Sequence, residues 1–87
     1  MSQEEDWTVE RAREVVAYLI SLRETGAELR VAINYLHQGL PMDAHKIQDE
    51  PETWRWLEAR HWITFVVDRT SNKRWIAVTT VQSATVT

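Results

Sequence analysis

The last third of the chain, WRWLEARHWITFVVDRTSNKRWIAVTT, constrains the fold more than any other stretch. Residues 63–67 and 74–81 are rich in β-branched and aromatic side chains and alternate in the manner of strands. Residues 68–73 between them form a polar turn sequence. This pattern predicts one antiparallel β-hairpin over residues 63–82, preceded by an amphipathic helix that ends near residue 60.

Length and composition bound the class of protein. Eighty-seven residues make one domain, so residues 1–87 are expected to fold as a unit with flexible ends at 1–6 and 83–87. The absence of cysteine excludes disulfides, thiolate metal sites and cysteine nucleophiles. Most of the five Trp are expected to be at least half buried. No apolar run reaches the roughly 18 residues of a membrane span, and the acidic N-terminus lacks signal-peptide order, so a soluble, cytoplasmic protein is expected.

Charge is distributed unevenly along the chain. Residues 1–52 carry five basic and eleven acidic side chains, a net charge of −6. Residues 53–87 carry five basic and two acidic side chains, a net charge of +3. This asymmetry indicates either a C-terminal part that faces a polyanion or an uneven distribution that arose by chance in a small protein.

Two helices are predicted at the start of the chain. Apolar residues from Val9 to Ile20 recur at 3.6-residue spacing, which favours one helix over residues 8–25 that stops at Gly26. A second stripe begins at Leu29, and Gly39 terminates it.

Two further helices are predicted before the hairpin. A short helix is expected over residues 42–48, and Pro51 among acidic residues is the start signature of the helix that ends near residue 60. The predicted fold is α+β, with N-terminal helices, a C-terminal antiparallel hairpin and no parallel pairing. About half of the chain is expected to be helical, and no third strand is expected within residues 8–38.

The text of residues 57–79 resembles the end of the recognition helix and the wing of winged helix-turn-helix repressors related to MarR. Residues 57–63, LEARHWI, correspond to the Leu-Glu-x-x-Gly-Leu-Ile run of that family. Asp68-Arg69 and Lys73-Arg74 correspond to its loop, and residues 77–79, AVT, correspond to the end of its second strand. His61 replaces the usual Gly, and no helices follow the wing. The resemblance implies a winged-helix-like fold and a small transcriptional regulator that binds duplex DNA. No cofactor, metal or catalytic activity is expected.

The resemblance also implies site residues. Arg55 on the recognition helix is the candidate for base contact, since Arg reads guanine bidentately, and Thr53 and Trp56 would share its exposed surface. The hairpin turn would contact phosphates through three exposed cations, namely Arg69, Lys73 and Arg74.

A homodimer is expected because such regulators act as symmetric pairs on two-fold operators. The long apolar stripe of the first helix supplies the candidate interface residues Val9, Val16 and Ile20. Alternatively, the hairpin packs over that stripe in a monomer.

A second hypothesis makes the chain a protein-binding adaptor or an inhibitor encoded by a mobile element. Asp49, Glu50 and Glu52 crowd the start of the predicted recognition helix, where carboxylates repel phosphate. An acidic surface with an exposed Trp56 would suit a protein partner, unless Trp56 packs within the domain. Catalysis is not expected, because the three histidines lack the spacing of a metal pair or a triad.

Overall fold

The computed structural model describes residues 6–84 and contains a five-stranded sheet and two α-helices. In chain order the elements are β1 (Thr8–Arg11), α1 (Arg13–Ser21), α2 (Glu24–Tyr35), β2 (His45–Asp49), β3 (Glu52–Glu58), β4 (His61–Asp68) and β5 (Trp75–Ser83). Short 3-10 turns follow α2 at Leu36–Gln38 and connect β4 to β5 at Thr70–Asn72. Residues 1–5 and 85–87, which belong to the ends predicted to be flexible, lie outside the residues that the structure describes.

The sheet has the strand order β1-β5-β4-β3-β2. Strands β2 to β5 form an antiparallel meander, and β1 pairs in parallel with β5 at the opposite edge from β2. The two helices lie in the connection between β1 and β2. No helix within residues 6–84 is long and apolar enough to cross a membrane.

Strand β4 is the centre of the sheet, and its side chains alternate strictly between buried and half-buried positions. Its buried side, with Ile63, Phe65 and Val67, joins one apolar core with β5, α1 and α2. Full burial of an aliphatic or aromatic side chain contributes roughly 1.5–3 kcal/mol, so this layer supplies much of the stability. The helices contribute four fully or almost fully buried residues to it, namely Val15, Leu19, Leu29 and Ile33.

The α+β class and the antiparallel hairpin are confirmed. Strands β4 and β5 contain the predicted hairpin and are antiparallel around a polar turn. All five Trp are buried or half-buried, as expected. The proportion of helix is lower than predicted, because strand residues outnumber helical ones in the described chain.

The predicted helix over residues 49–60 is wrong. This stretch forms the end of β2, the β2–β3 turn at Pro51 and the whole of β3. Six consecutive residues of β3 pair with β4, and Trp54 and Trp56 lie two apart on one face. The pairing therefore overrides the helix-start signature of Pro51 and its acidic neighbours. The short helix at 42–48 is also wrong, since His45–Asp49 is the exposed edge strand β2.

The single helix over residues 8–25 is wrong as well. Val9 lies in β1, which is a third paired strand within residues 8–38 and is parallel to β5. The helical stripe continues only from Arg13, and a break at Arg23, with φ of 57°, separates α1 from α2. Gly26 is not a stop but lies inside α2 against α1, where a Cβ atom would sit 1.8 Å from the Leu19 carbonyl oxygen.

This close approach makes Gly26 the least replaceable position of the helical layer. Gly26→Ala is expected to destabilise the fold by roughly 1–3 kcal/mol, because the added methyl group forces α1 and α2 apart. Glu28→Ala at an exposed position of α2 is the control and should change stability by less than about 0.5 kcal/mol. Urea unfolding measures both variants, and equal stability of Gly26→Ala and wild type would contradict the helix–helix contact.

Candidate functional site

The two faces of the sheet differ in what covers them. Both helices pack on the face that bears the core residues of β4. The opposite face, where β4 presents its half-buried positions from Trp62 to Asp68, contributes no β4 residue to this apolar core. We call this side the open face. It also carries Arg55 and Leu57 of β3 and Trp75 and Ala77 of β5, which pair with those positions of β4.

Arg55 and Trp62 form the most specific contact on the open face. The Arg55 guanidinium carbon lies 4.0 Å from the centre of the Trp62 ring. Cation–π geometry of this kind contributes about 0.5–1 kcal/mol at partly exposed sites and holds the guanidinium plane in place. Both side chains are half-buried, so the pair is supported by the sheet while part of it faces solvent.

The β4–β5 turn gathers the three predicted cations. Arg69, Lys73 and Arg74 are all exposed, which confirms the expected exposure. Together with Trp7 and Asn72 they line a cavity of about 400 Å³ at the end of the sheet. The Arg69 guanidinium carbon lies 5.6 Å from the centre of the Trp7 ring, and Lys73 Nζ lies 5.0 Å from the centre of the Trp75 ring. We call this cavity the turn pocket.

Carboxylates partly balance the charge of the turn pocket. Arg69 donates two hydrogen bonds of 2.9 Å, from Nε and Nη2, to the two carboxylate oxygens of Glu52. This bidentate pair is the main reason why the pKa of Glu52 is lowered to about 2, and a hydrogen bond from Trp54 Nε1 adds to it. Lys73 lies 3.7 Å from Asp68. Asp68 also accepts hydrogen bonds from the Thr70 hydroxyl and amide. These two bonds lower the pKa of Asp68 more than the nearby charge of Lys73 does.

Thr53 and Trp56 are not on an exposed surface, contrary to prediction. Trp56 is 5% exposed and donates a 2.9 Å hydrogen bond from Nε1 to Asp43. Thr53 is buried, and its hydroxyl donates to the Pro51 carbonyl. Because β3 has a period of two residues rather than 3.6, Trp56 faces the core, while Leu57 faces outward. The alternative in which Trp56 packs within the domain is confirmed.

The predicted dimer residues do not lie on one stripe. Val9 is buried in β1, whereas Val16 and Ile20 lie on α1 and are 42% and 66% exposed. The adjacent helix α2 exposes Val31 and Tyr35, so the helical layer has an apolar outer surface of its own.

The acidic cluster is also divided by the fold. Asp49 ends β2 and pairs with Lys46 at 3.2 Å, while Glu52 points to Arg69. Glu50 lies in the β2–β3 turn. The three acids therefore do not crowd a helix N-terminus.

Two of the three histidines, His37 and His61, have hydrogen-bond partners. His61 is 8% exposed, and its Nδ1 lies 2.8 Å from the Ala59 carbonyl oxygen, so this nitrogen donates. Its Nε2 lies 3.2 Å from the Tyr18 hydroxyl oxygen, within hydrogen-bonding distance. His37 Nδ1 bonds to the Trp7 carbonyl at 2.8 Å. Within residues 6–84, no group of three or more potential ligands is arranged to hold a metal ion.

Trp62 and Trp7 were not among the residues predicted from the sequence. The alternation of residues 61–68 was sufficient to place Trp62 opposite the core, because successive strand side chains point to opposite faces. Trp7 carried no local signal, since it reaches the turn pocket only through the parallel pairing of β1 with β5.

The chain matches no protein-family model, no curated protein and no solved structure.

The Arg69–Glu52 pair generates a prediction about acid stability. Because the folded-state pKa of Glu52 is about 2, below its ordinary value of 4.5, ionised Glu52 stabilises the fold above about pH 4.5. This contribution is lost as the pH falls from about 4.5 towards 2. Glu52→Gln should therefore show a shallower loss of stability over that range than wild type. Urea unfolding at several pH values measures it, with Glu28→Gln at an exposed position as the control. Parallel curves for wild type and Glu52→Gln would contradict the pair.

Proposed function

We propose that this chain is a small, non-catalytic nucleic-acid-binding domain of the cytoplasm that holds a single strand on its open face. The observation that carries the proposal is the Arg55 guanidinium stacked on Trp62, a half-buried pair on the sheet face opposite the core. Exposed aromatic rings and guanidinium planes on a sheet are the groups on which unpaired bases stack.

The dimensions of the open face suit an extended strand. At about 3.3 Å per residue, β4 separates Trp62 from Asp68 by about 20 Å. Trp75 pairs with Asp68, so the two indoles mark opposite ends of the face. Thr64, Val66 and Ala77 lie between them and provide a nearly uncharged floor. Lys73, beside Trp75, links this floor to the cations of the turn pocket, which supply the attraction to phosphate.

A role as a regulator of duplex DNA is the hypothesis that the winged-helix resemblance implied. The hairpin of that hypothesis exists, but residues 49–60 form strands and a turn, so within residues 6–84 no helix directly precedes the hairpin in the position of a recognition helix. Contacts from Arg69, Lys73 and Arg74 to phosphate do not require such a helix. The proposal therefore keeps the basic turn as a nucleic-acid contact and transfers base contact to the sheet.

A protein-binding adaptor or inhibitor is the second candidate. The observation that favours it is the apolar outer surface of the helical layer, where Val16, Ile20, Val31 and Tyr35 are 42–68% exposed. This surface also retains Val16 and Ile20 as candidate contacts for a homodimer. Neither Trp56 nor an acidic helix start contributes to it.

Fluorescence anisotropy with labelled single-stranded DNA, single-stranded RNA and duplex DNA at two salt concentrations tests the proposal. Wild type should bind single strands more tightly than duplex. Arg55→Ala should weaken single-strand binding by about tenfold, in line with the roughly 1–3 kcal/mol of one stacked base. Arg30→Ala, an exposed cation on α2, removes the same charge away from the open face and should have little effect.

The outcomes separate the candidates. Equal losses in Arg55→Ala and Arg30→Ala would show that net charge rather than the open face determines binding. Absence of binding to any nucleic acid at low salt would contradict the proposal. A protein that then co-purifies with wild type but is lost in an Ile20→Glu variant would favour the adaptor.

A further inference from the structure

We propose that the turn pocket binds a terminal phosphate monoester, with the attached nucleoside stacked on Trp7. This inference deepens the proposed function, since it assigns the end of a strand to the pocket, but it applies equally to a free mononucleotide. The ligand chemistry is the same in both sources: a dianionic phosphate next to a planar base.

The shape of the turn pocket supports a small ligand. Its volume of about 400 Å³ lies within the roughly 300–1,000 Å³ typical of small-molecule sites. The pocket lies at the end of the sheet, where Trp7 directly precedes β1 and Arg74 directly precedes β5. The Thr8 amide there donates a 2.8 Å hydrogen bond to the Arg74 carbonyl. This backbone hydrogen bond holds the chain after Trp7 next to the chain at Arg74.

The cations that line the pocket attract anionic ligands. Three cations face it, while Glu52 and Asp68 pair with Arg69 and Lys73. Arg69 uses two of its five N–H donors on Glu52, so its remaining donors are available to a ligand. A phosphate monoester carries about −1.5 to −2 charges at pH 7, whereas a phosphodiester carries one, so this cluster attracts the monoester more strongly.

Trp7 provides the wall for the base. The ring is half-buried and packs against the core, and Gly39 lies beside it, since a Cβ atom added to Gly39 would be 3.6 Å from the indole nitrogen. The Arg69 guanidinium carbon lies 5.6 Å from the centre of the ring. A base that enters the pocket therefore meets an aromatic plane beside cationic groups, as in other base-stacking sites.

The turn itself is shaped by two left-handed residues. Ser71 and Asn72 have φ values of 55° and 62°, conformations that non-glycine residues seldom adopt, although Asn tolerates them. The Lys73 amide donates to the Thr70 carbonyl at 2.9 Å and closes the turn. This geometry places the Asn72 amide group among the pocket-lining side chains, where it can donate to a phosphate oxygen.

Two binding measurements on the full chain test the inference. The first compares one single-stranded oligonucleotide with a 5′-phosphate, a 3′-phosphate or hydroxyl groups at both ends. Wild type should prefer a phosphorylated end by about tenfold, as expected for one or more additional charge-assisted hydrogen bonds. Lys73→Gln/Arg74→Gln should lose that preference, so that phosphorylated and unphosphorylated strands bind the variant equally tightly, although both bind it more weakly than they bind wild type. Lys46→Gln, at the far edge strand, is the control and should keep the preference.

The second measurement follows the indole N–H signals by NMR during titration with a nucleoside 5′-monophosphate and, separately, with inorganic phosphate. The Trp7 signal, assigned through Trp7→Phe, should shift with the mononucleotide much more than with phosphate. Shifts of Trp7 without any strand binding would support the pocket for a free nucleotide while contradicting the proposed function. Strand binding without an end preference, and without Trp7 shifts, would overturn the pocket while the open face remained supported. Equal Trp7 shifts with phosphate and mononucleotide would overturn the stacked base.

Discussion

The pairing of β4 with both of its neighbours is the constraint on which the rest of the structure depends. Six positions of β3 and eight of β5 register with β4, which places this strand at the centre of the sheet. Because strand side chains alternate, the residues that fill the core determine which residues face away from it. Burial of Ile63, Phe65 and Val67 under the helices leaves Trp62, Thr64 and Val66 on the open face.

The same pairing organises the charges at the end of the sheet. Glu52 at the start of β3 and Arg69 after β4 are brought together by the β3–β4 register, and the bidentate hydrogen bonds between them orient the guanidinium beside Trp7. An exposed ion pair contributes little to stability, usually below about 1 kcal/mol. Its consequence here is positional, because Arg69 becomes a fixed wall of the turn pocket rather than a freely moving side chain.

The antiparallel hairpin was predictable because its signals are local. Alternating β-rich runs and a polar turn lie within twenty residues of each other, and their pairing partner is the adjacent run. Strand β3 was mispredicted because its seven residues fit two periods: Trp54, Leu57 and His61 mark a helical stripe, and Trp54 with Trp56 marks a strand. The helix-start signature of Pro51 favoured the first, and only pairing with β4 decides for the second.

Strand β1 could not be predicted from local pattern for a related reason. Val9 continues the 3.6-residue stripe of α1, yet it belongs to a four-residue strand whose partner Ile76 lies near the other end of the chain. The turn pocket could not be predicted in full for the same reason, because local sequence pattern does not reveal pairing between distant segments. The three turn cations were recognisable from their clustering in sequence, whereas Trp7 joins them only through the β1–β5 pairing. The error at β3 also exchanged the roles of Trp56 and Leu57, since a change of period reverses the side that each residue faces.

In the proposed function, nucleic acid contacts the open face and not the helical layer. Amide and side-chain chemical shifts recorded by NMR during titration with a short single-stranded oligonucleotide locate the contact directly. The largest changes should map to Arg55, Trp62 and Thr64 and continue to the β4–β5 turn, while Val16, Ile20 and Val31 remain unchanged. Changes centred on α1 and α2, or no changes at any residue, would contradict the account.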